Sequence, residues 1–168
     1  TLLETAEYFR TEYGLKKTDK EIYAGVDSLL WPIYRDEVLP KDGVISLLDR
    51  LKERRIPMVV ATATDRHLVE MVLGKNGLIS YFSEIFTTSA VGAGKENPLI
   101  FERALEYLGT PKAETAVFED TLYAIKTAKD AGFPVVGIFD ESQDTLQDEI
   151  KALSDFYISN YRKDYLDF

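Results

Sequence analysis

Short apolar runs alternate with helical patterns over most of this chain, and that alternation constrains the fold more than any other feature. Ile56 to Ala61 is one such run, and Ile85 to Thr88, Thr115 to Phe118, Pro134 to Phe139 and Phe156 to Ile158 are similar. Each is short and has little polar alternation, as expected of strands covered on both faces. Between them the apolar residues recur at helical spacing: Leu68, Met71 and Val72; then Ile100, Ala104 and Leu108 beside Phe101 and Leu105. Ala124, Ala128 and Ala131 make a small-residue stripe for close helix–sheet packing, closed by Gly132, and an acidic helix is expected around Leu146 to Leu153. Strand–helix–strand order with short connections predicts parallel strands joined by right-handed crossovers. The expected fold is α/β, a doubly wound parallel sheet, with its functional site at the carboxyl ends of the strands.

The beginning of the chain reads differently. Leu2, Ala6, Phe9 and Tyr13 fall at helical spacing before Gly14. Thr18 and Glu21 have the spacing of a capping box, in which the hydroxyl takes a free amide and the carboxylate reaches back. Behind them Ile22, Val26, Leu29, Leu30 and Ile33 form a helical stripe, which Pro32 is expected to end or kink. Val44, Leu47, Leu48 and Leu51 form the next amphipathic helix. The organisation is therefore an all-helical piece over residues 1–38 and an α/β unit over residues 39–168.

Charge and composition exclude several functions. The 168 residues carry a net charge of −9, which opposes nucleic-acid binding, since that affinity comes largely from Lys and Arg on phosphates. With no cysteine there is no disulfide, thiolate or cysteine-zinc chemistry. His67 is the only histidine, which rules out a histidine metal cluster, and a surface role is expected for it. No apolar run approaches the length of a bilayer span, and Thr1 to Arg10 has no leader pattern, so a cytoplasmic location is expected. Oligomeric state is not legible.

Polar residues at the strand ends carry the chemistry. Thr62 follows the first apolar run, Lys95 lies in the loop Gly92-Ala93-Gly94-Lys95 after the second, and Glu119-Asp120 follows the third. Parallel strands would bring all three segments to one edge. Thr62 can donate its hydroxyl to a phosphate oxygen, with the Ala63 amide at the next turn. Lys95 can meet the negative charge of a transferring phosphoryl group. Asp120 is a hard oxygen ligand for Mg²⁺, and Glu119 can hold a metal-bound water or orient Lys95. Singly, these residues also fit helix capping, favourable helix-dipole charge and a solvated lysine. The glycine loop is not a nucleotide-phosphate loop, because Ser89 and Glu96 stand where that motif needs Gly and Ser or Thr.

Together these segments resemble the haloacid dehalogenase superfamily of hydrolases, in the subgroup that includes β-phosphoglucomutase-like proteins and small-metabolite phosphatases. Val59-Val60-Ala61-Thr62-Ala63-Thr64 is similar to its second signature, Gly94-Lys95-Glu96-Asn97-Pro98 to its third, and Val117-Phe118-Glu119-Asp120-Thr121 through Gly132 to its fourth. Pro40 to Val44 resembles the segment that leads into the core. Departures are Glu96 for Pro, Leu99 for Asp and Ala124 for Gly, which touch loop shape more than charge. The resemblance implies a Rossmannoid core with a partial helical cap over residues 1–38. It also implies Mg²⁺ at Glu119 and Asp120, and phosphate at Thr62, Ala63 and Lys95, with Thr62 and Lys95 catalytic.

The family's first signature, Asp-x-Asp-x-Thr on a central strand, does not occur in these residues. Its first Asp is the nucleophile that becomes the aspartyl-phosphate, and its second is the general acid and base. The expectation is that the chain begins inside the cap and that the first strand lies upstream, between the strands at Ile56–Ala61 and Thr115–Phe118. A gap or rearranged pairing would follow. The implied activity is a Mg²⁺-dependent phosphatase on a small phosphorylated metabolite, with the chain alone inactive. A phosphosugar mutase and a non-catalytic binding protein are the alternatives.

Overall fold

The computed structural model describes residues 2–162. Helix α1 (Leu2–Tyr13) ends at Gly14, whose φ of 63° lies in the left-handed region. Helix α2 (Asp19–Asp36) opens on the full capping box: the Glu21 amide donates to the Thr18 hydroxyl, and the Thr18 amide donates to the Glu21 carboxylate. Pro32 does not end the helix, one of the two outcomes expected of it: α2 runs on to Asp36, without the amide bond that Pro cannot donate. The apolar stripe of α2 is only partly covered. Ile22 is buried, but Leu29 is 70% and Ile33 42% exposed.

The α/β part follows the expected order. Helix α3 (Val44–Glu53) buries Leu47, Leu48 and Leu51. It is followed by β1 (Val60–Thr62), α4 (Arg66–Lys75), β2 (Ile85–Thr87), the single turn α5 (Thr88–Val91) and α6 (Leu99–Leu108). Then come β3 (Val117–Glu119), α7 (Leu122–Asp130), β4 (Val135–Ile138), α8 (Gln147–Leu153) and β5 (Phe156–Ile158). A six-residue 3₁₀ stretch, Glu141–Leu146, leads into α8.

All strand pairs are parallel, as crossover connections require. Among the described residues the strands form two sheets, β1-β2 and β3-β4-β5, with the break between β1 and β3, where a gap or rearranged pairing was expected. Thus β1 is paired along one side by β2, and β3 along one side by β4. Burial corrects the expectation that the Ile56–Ala61 run forms a strand covered on both faces, because β1 is only half-buried. Only β4, flanked by two neighbours, is buried throughout, whereas β1 is half-buried and Phe118 of β3 is 38% exposed. The strands are also shorter than the apolar runs that announced them. Thr62 and Glu119 are the last residues of β1 and β3 rather than the first beyond them.

One core unites the pieces. Ile100, Phe101, Ala124, Ile125, Ala128, Phe133, Val135 and Ile150 form a buried cluster against which both Ala61 of β1 and Val117 of β3 pack. The alanine stripe works as its size predicts: Ala124 and Ala128 have no exposed surface, so α7 lies close to the sheet. On the other side Leu47 and Leu51 of α3 cover Val136, Ile138 and Ile158.

Candidate functional site

The carboxyl end of β3 carries the densest polar cluster of the core. The short chain segment from Thr87 to Lys95 brings the Lys95 loop from the end of β2 to the end of β3. There the Lys95 ammonium donates to Glu119 Oε2 at 2.6 Å. Both side chains are withdrawn from solvent, Lys95 to 14% exposure and Glu119 to 4%. The other Glu119 oxygen, Oε1, accepts from the Asp120 amide at 3.1 Å, the Thr121 amide at 3.0 Å and the Thr121 hydroxyl at 2.8 Å. A buried carboxylate is tolerated only when so satisfied.

The two neighbouring carboxyls divide their charge. Burial pushes Glu119 upward, but Lys95 and the hydrogen bonds from Asp120 and Thr121 outweigh it and leave Glu119 below its ordinary value. Burial pushes Asp120 up to about 6, reinforced by its hydrogen bond to Glu119 and by the negative charges of Glu119 and Asp140. Glu119 therefore ionises first, and Asp120 gives up its proton only near pH 6. A cation is the natural replacement for that proton. Among the described residues no three His, Cys, Asp or Glu side chains are grouped to hold a metal. The donor set suits Mg²⁺, a hard ion that keeps several waters and takes few carboxylates.

Three further residues flank the cluster. Asp140 follows β4 and binds the Lys41 ammonium and the Ser142 amide, which hold its carboxyl down at about 2. Lys41 also donates to the Phe139 carbonyl at 3.1 Å, tying the loop before α3 to the end of β4. Tyr161 packs on the apolar cluster beneath α3. Burial raises its hydroxyl to about 12, and the charge of Asp120 adds to the rise. This crossing needs Gly43, whose φ is 84° and whose Cβ position would lie 3.0 Å from Tyr161 Cβ.

Thr62 ends β1, and its hydroxyl accepts the Thr64 amide at 3.1 Å, closing a small turn that leaves the hydroxyl hydrogen available. Ala63, at the tip of this turn, is exposed. The structure thus brings Lys95, Glu119 and Asp120 into one cluster, while the Thr62 hydroxyl is bonded within its own turn on the other sheet. His67 is a surface residue, as expected, but a partnered one: Nε2 lies 2.6 Å from Asp27 Oδ1 and Trp31 stacks on the ring. Sequence reasoning missed Lys41, Thr121, Asp140 and Tyr161. Asp140 was accessible by the rule that found Glu119, since it too follows an apolar strand. Tyr161 carried no signal, because only the return of the chain over Gly43 places it there.

The carboxyl end of one strand of a parallel α/β core thus carries a buried lysine–carboxylate pair beside a partly buried aspartate. The family model for haloacid dehalogenase-like hydrolases matches residues 3–132, and the chain belongs to that family. It is 32% identical over 97 residues to validoxylamine A 7'-phosphate phosphatase of Streptomyces hygroscopicus subsp. limoneus, a match covering 58% of this chain and 46% of that protein. The chain thus spans about half the length of this relative. Its fold matches CbbY of Rhodobacter sphaeroides, solved in complex with phosphate, with a TM-score of 0.77 at 21% identity over 89% of this chain and 67% of the other. It also matches β-phosphoglucomutase of Clostridium difficile, with a TM-score of 0.64 at 20% identity over 86% and 60% of the two chains. At these identities the two structural matches speak for the fold alone.

Proposed function

We propose that this chain supplies the phosphate-holding and metal-holding part of a Mg²⁺-dependent phosphatase acting on a small phosphorylated metabolite. The observation that carries the reading is the buried Lys95–Glu119 pair beside the partly buried Asp120. A lysine withdrawn from water and aimed by a carboxylate is preorganised for phosphoryl oxygens, so little reorganisation is needed as charge develops. Thr62 donates its hydroxyl and Ala63 its amide to the same phosphate. Asp120 is the direct Mg²⁺ ligand. Glu119, with both oxygens engaged, orients Lys95, and together with Asp120 it would hold Mg²⁺. Mg²⁺, when bound, offsets negative charge on the phosphoryl group. The sequence likeness to a phosphatase, validoxylamine A 7'-phosphate phosphatase, favours a phosphatase over a mutase, because the likeness to β-phosphoglucomutase is one of fold.

The reading includes a divided site. The 168 residues contain no Asp-x-Asp-x-Thr segment. The attacking aspartate and the acid–base aspartate are therefore assigned to a strand outside them, completing the sheet between β1 and β3. The chain alone then releases no phosphate. A polypeptide that also includes the upstream coding sequence releases phosphate from a panel of phosphorylated metabolites in a Mg²⁺-dependent manner and loses that activity on Asp120→Asn. Turnover by the chain alone, or an upstream reading frame without an apolar strand ending in Asp-x-Asp-x-Thr, contradicts the divided site.

A further inference from the structure

One face of α2 makes three polar contacts with the residues that follow Thr62. Tyr23, Asp27 and Tyr34 are spaced by four and seven residues and so share a face of the helix. The Tyr23 hydroxyl faces the Asp65 carboxylate, and burial first and Asp65 second raise its pKa. Asp27 meets His67 Nε2 at 2.6 Å, beneath the stacked Trp31 ring. The Tyr34 hydroxyl lies 3.2 Å from Thr64 Oγ1. Two backbone anchors fix the end of the helix: Lys75 donates to the Arg35 carbonyl at 2.7 Å and Asn76 to the Val38 carbonyl at 3.3 Å. The helix is therefore held without Tyr34, and the bond to Thr64 is an addition to that hold.

Thr64 is the residue whose amide closes the Thr62 turn. Its side chain is half-buried and its hydroxyl is engaged by Tyr34, from 30 residues away. We infer that Tyr34 is a positioning residue: through Thr64 it fixes the turn that presents the Thr62 hydroxyl and the Ala63 amide to phosphate. This rests on the assignment of Thr62 and Ala63 to phosphate above. Without the Tyr34 hydroxyl the Thr64 side chain is free to rotate. The Thr64 amide then leaves Thr62 more often, and phosphate must order the turn as it binds. That ordering cost appears as lost affinity. Tyr34→Phe isolates the effect, because it keeps the ring and removes one oxygen.

The test is titration of the full chain with inorganic phosphate, followed by ³¹P NMR, combined with amide hydrogen exchange without phosphate. Tyr34→Phe is expected to weaken phosphate binding by about three- to tenfold, the worth of one hydrogen bond. It should speed exchange of the Thr64 amide while leaving the Leu68 and Val69 amides, bonded to the Asp65 carbonyl, protected as before. Thr64→Ala should reproduce both effects, and the double variant should be no worse than either single one. Thr62→Ala separates the two claims. If Thr62→Ala weakens phosphate binding and Tyr34→Phe changes neither affinity nor Thr64 exchange, the role of Tyr34 is overturned and the phosphate site stands. If Thr62→Ala leaves binding unchanged, the phosphate assignment falls and this inference with it. If Tyr34→Phe speeds exchange throughout α2 and α4, Tyr34 is a packing residue and the inference is overturned.

Discussion

Lys95 and Glu119 show how much one buried pair can decide. Removing the ammonium leaves a 4%-exposed carboxylate without its cation, and breaking a buried pair typically costs about 3–5 kcal/mol. Lys95→Met should therefore lower the urea midpoint strongly, and adding Glu119→Leu should recover part of the loss, because the uncompensated charge is then gone. A Lys95→Met variant as stable as the parent would show that the pair is solvated. Lys41 and Asp140 make a contrasting, more exposed case. The folded Asp140 carboxyl sits at about 2, below the value of about 3.9 in an unfolded chain. A depressed carboxyl stabilises the fold above its unfolded value and loses that contribution as pH falls toward 2. Lys41→Met should raise the Asp140 midpoint in a carboxyl NMR titration and flatten the acid limb of the stability curve between about pH 4 and 2. An unmoved midpoint would assign the shift to Ser142 instead. Of these residues the sequence revealed Lys95, Glu119 and Asp120, because they sit at strand ends in a family-like order. It could not reveal that Glu119 spends both oxygens on Lys95 and the Thr121 turn, since that depends on a contact across 24 residues.

At the level of elements, local signals translated faithfully where local physics suffices. The capping box of α2, the apolar stripe of α3 and the alanine face of α7 all appear as read. Pro32 did not stop α2, because loss of one hydrogen bond is a local penalty that the rest of the helix and its contacts with α4 outweigh. The stripe residues Leu29 and Ile33 stayed exposed, since periodicity identifies a face but not whether anything covers it. Close packing makes its own demand at Gly137, in the middle of β4. A Cβ there would lie 3.1 Å from Ser154 Cβ and 3.2 Å from Ile150 Cγ2, and Ile150 has no exposed surface. Gly137→Ala is expected to cost about 1–3 kcal/mol through overpacking, read from the shift of the denaturation midpoint. A neutral result would mean that α8 can move outward at no cost.

Across the whole molecule, the described strands divide into β1-β2 and β3-β4-β5 around a shared core, with the break between β1 and β3, where a gap or rearranged pairing was expected. The class, strand direction and order of elements were legible because each helix–strand alternation is a sequence-local pattern. A gap between the two halves was legible only through the family resemblance, whereas the strand lengths were not, since they depend on what packs beside each strand. The division has a measurable consequence. Amide exchange should be slowest in β4, flanked and buried throughout, and faster in β1, which is half-buried and paired to β2 alone among the described strands. Equal protection in β1 and β4 would contradict that ranking.

The central claim is that Lys95, Glu119 and Asp120 form a phosphate and Mg²⁺ site, and phosphate binding with and without Mg²⁺ tests it most directly. In calorimetric titrations of the full chain, phosphate should bind more tightly when Mg²⁺ is present, Lys95→Met should abolish phosphate binding, and Asp120→Asn should remove the Mg²⁺ dependence. Phosphate binding that is indifferent to Mg²⁺ and unaffected by Lys95→Met would contradict it.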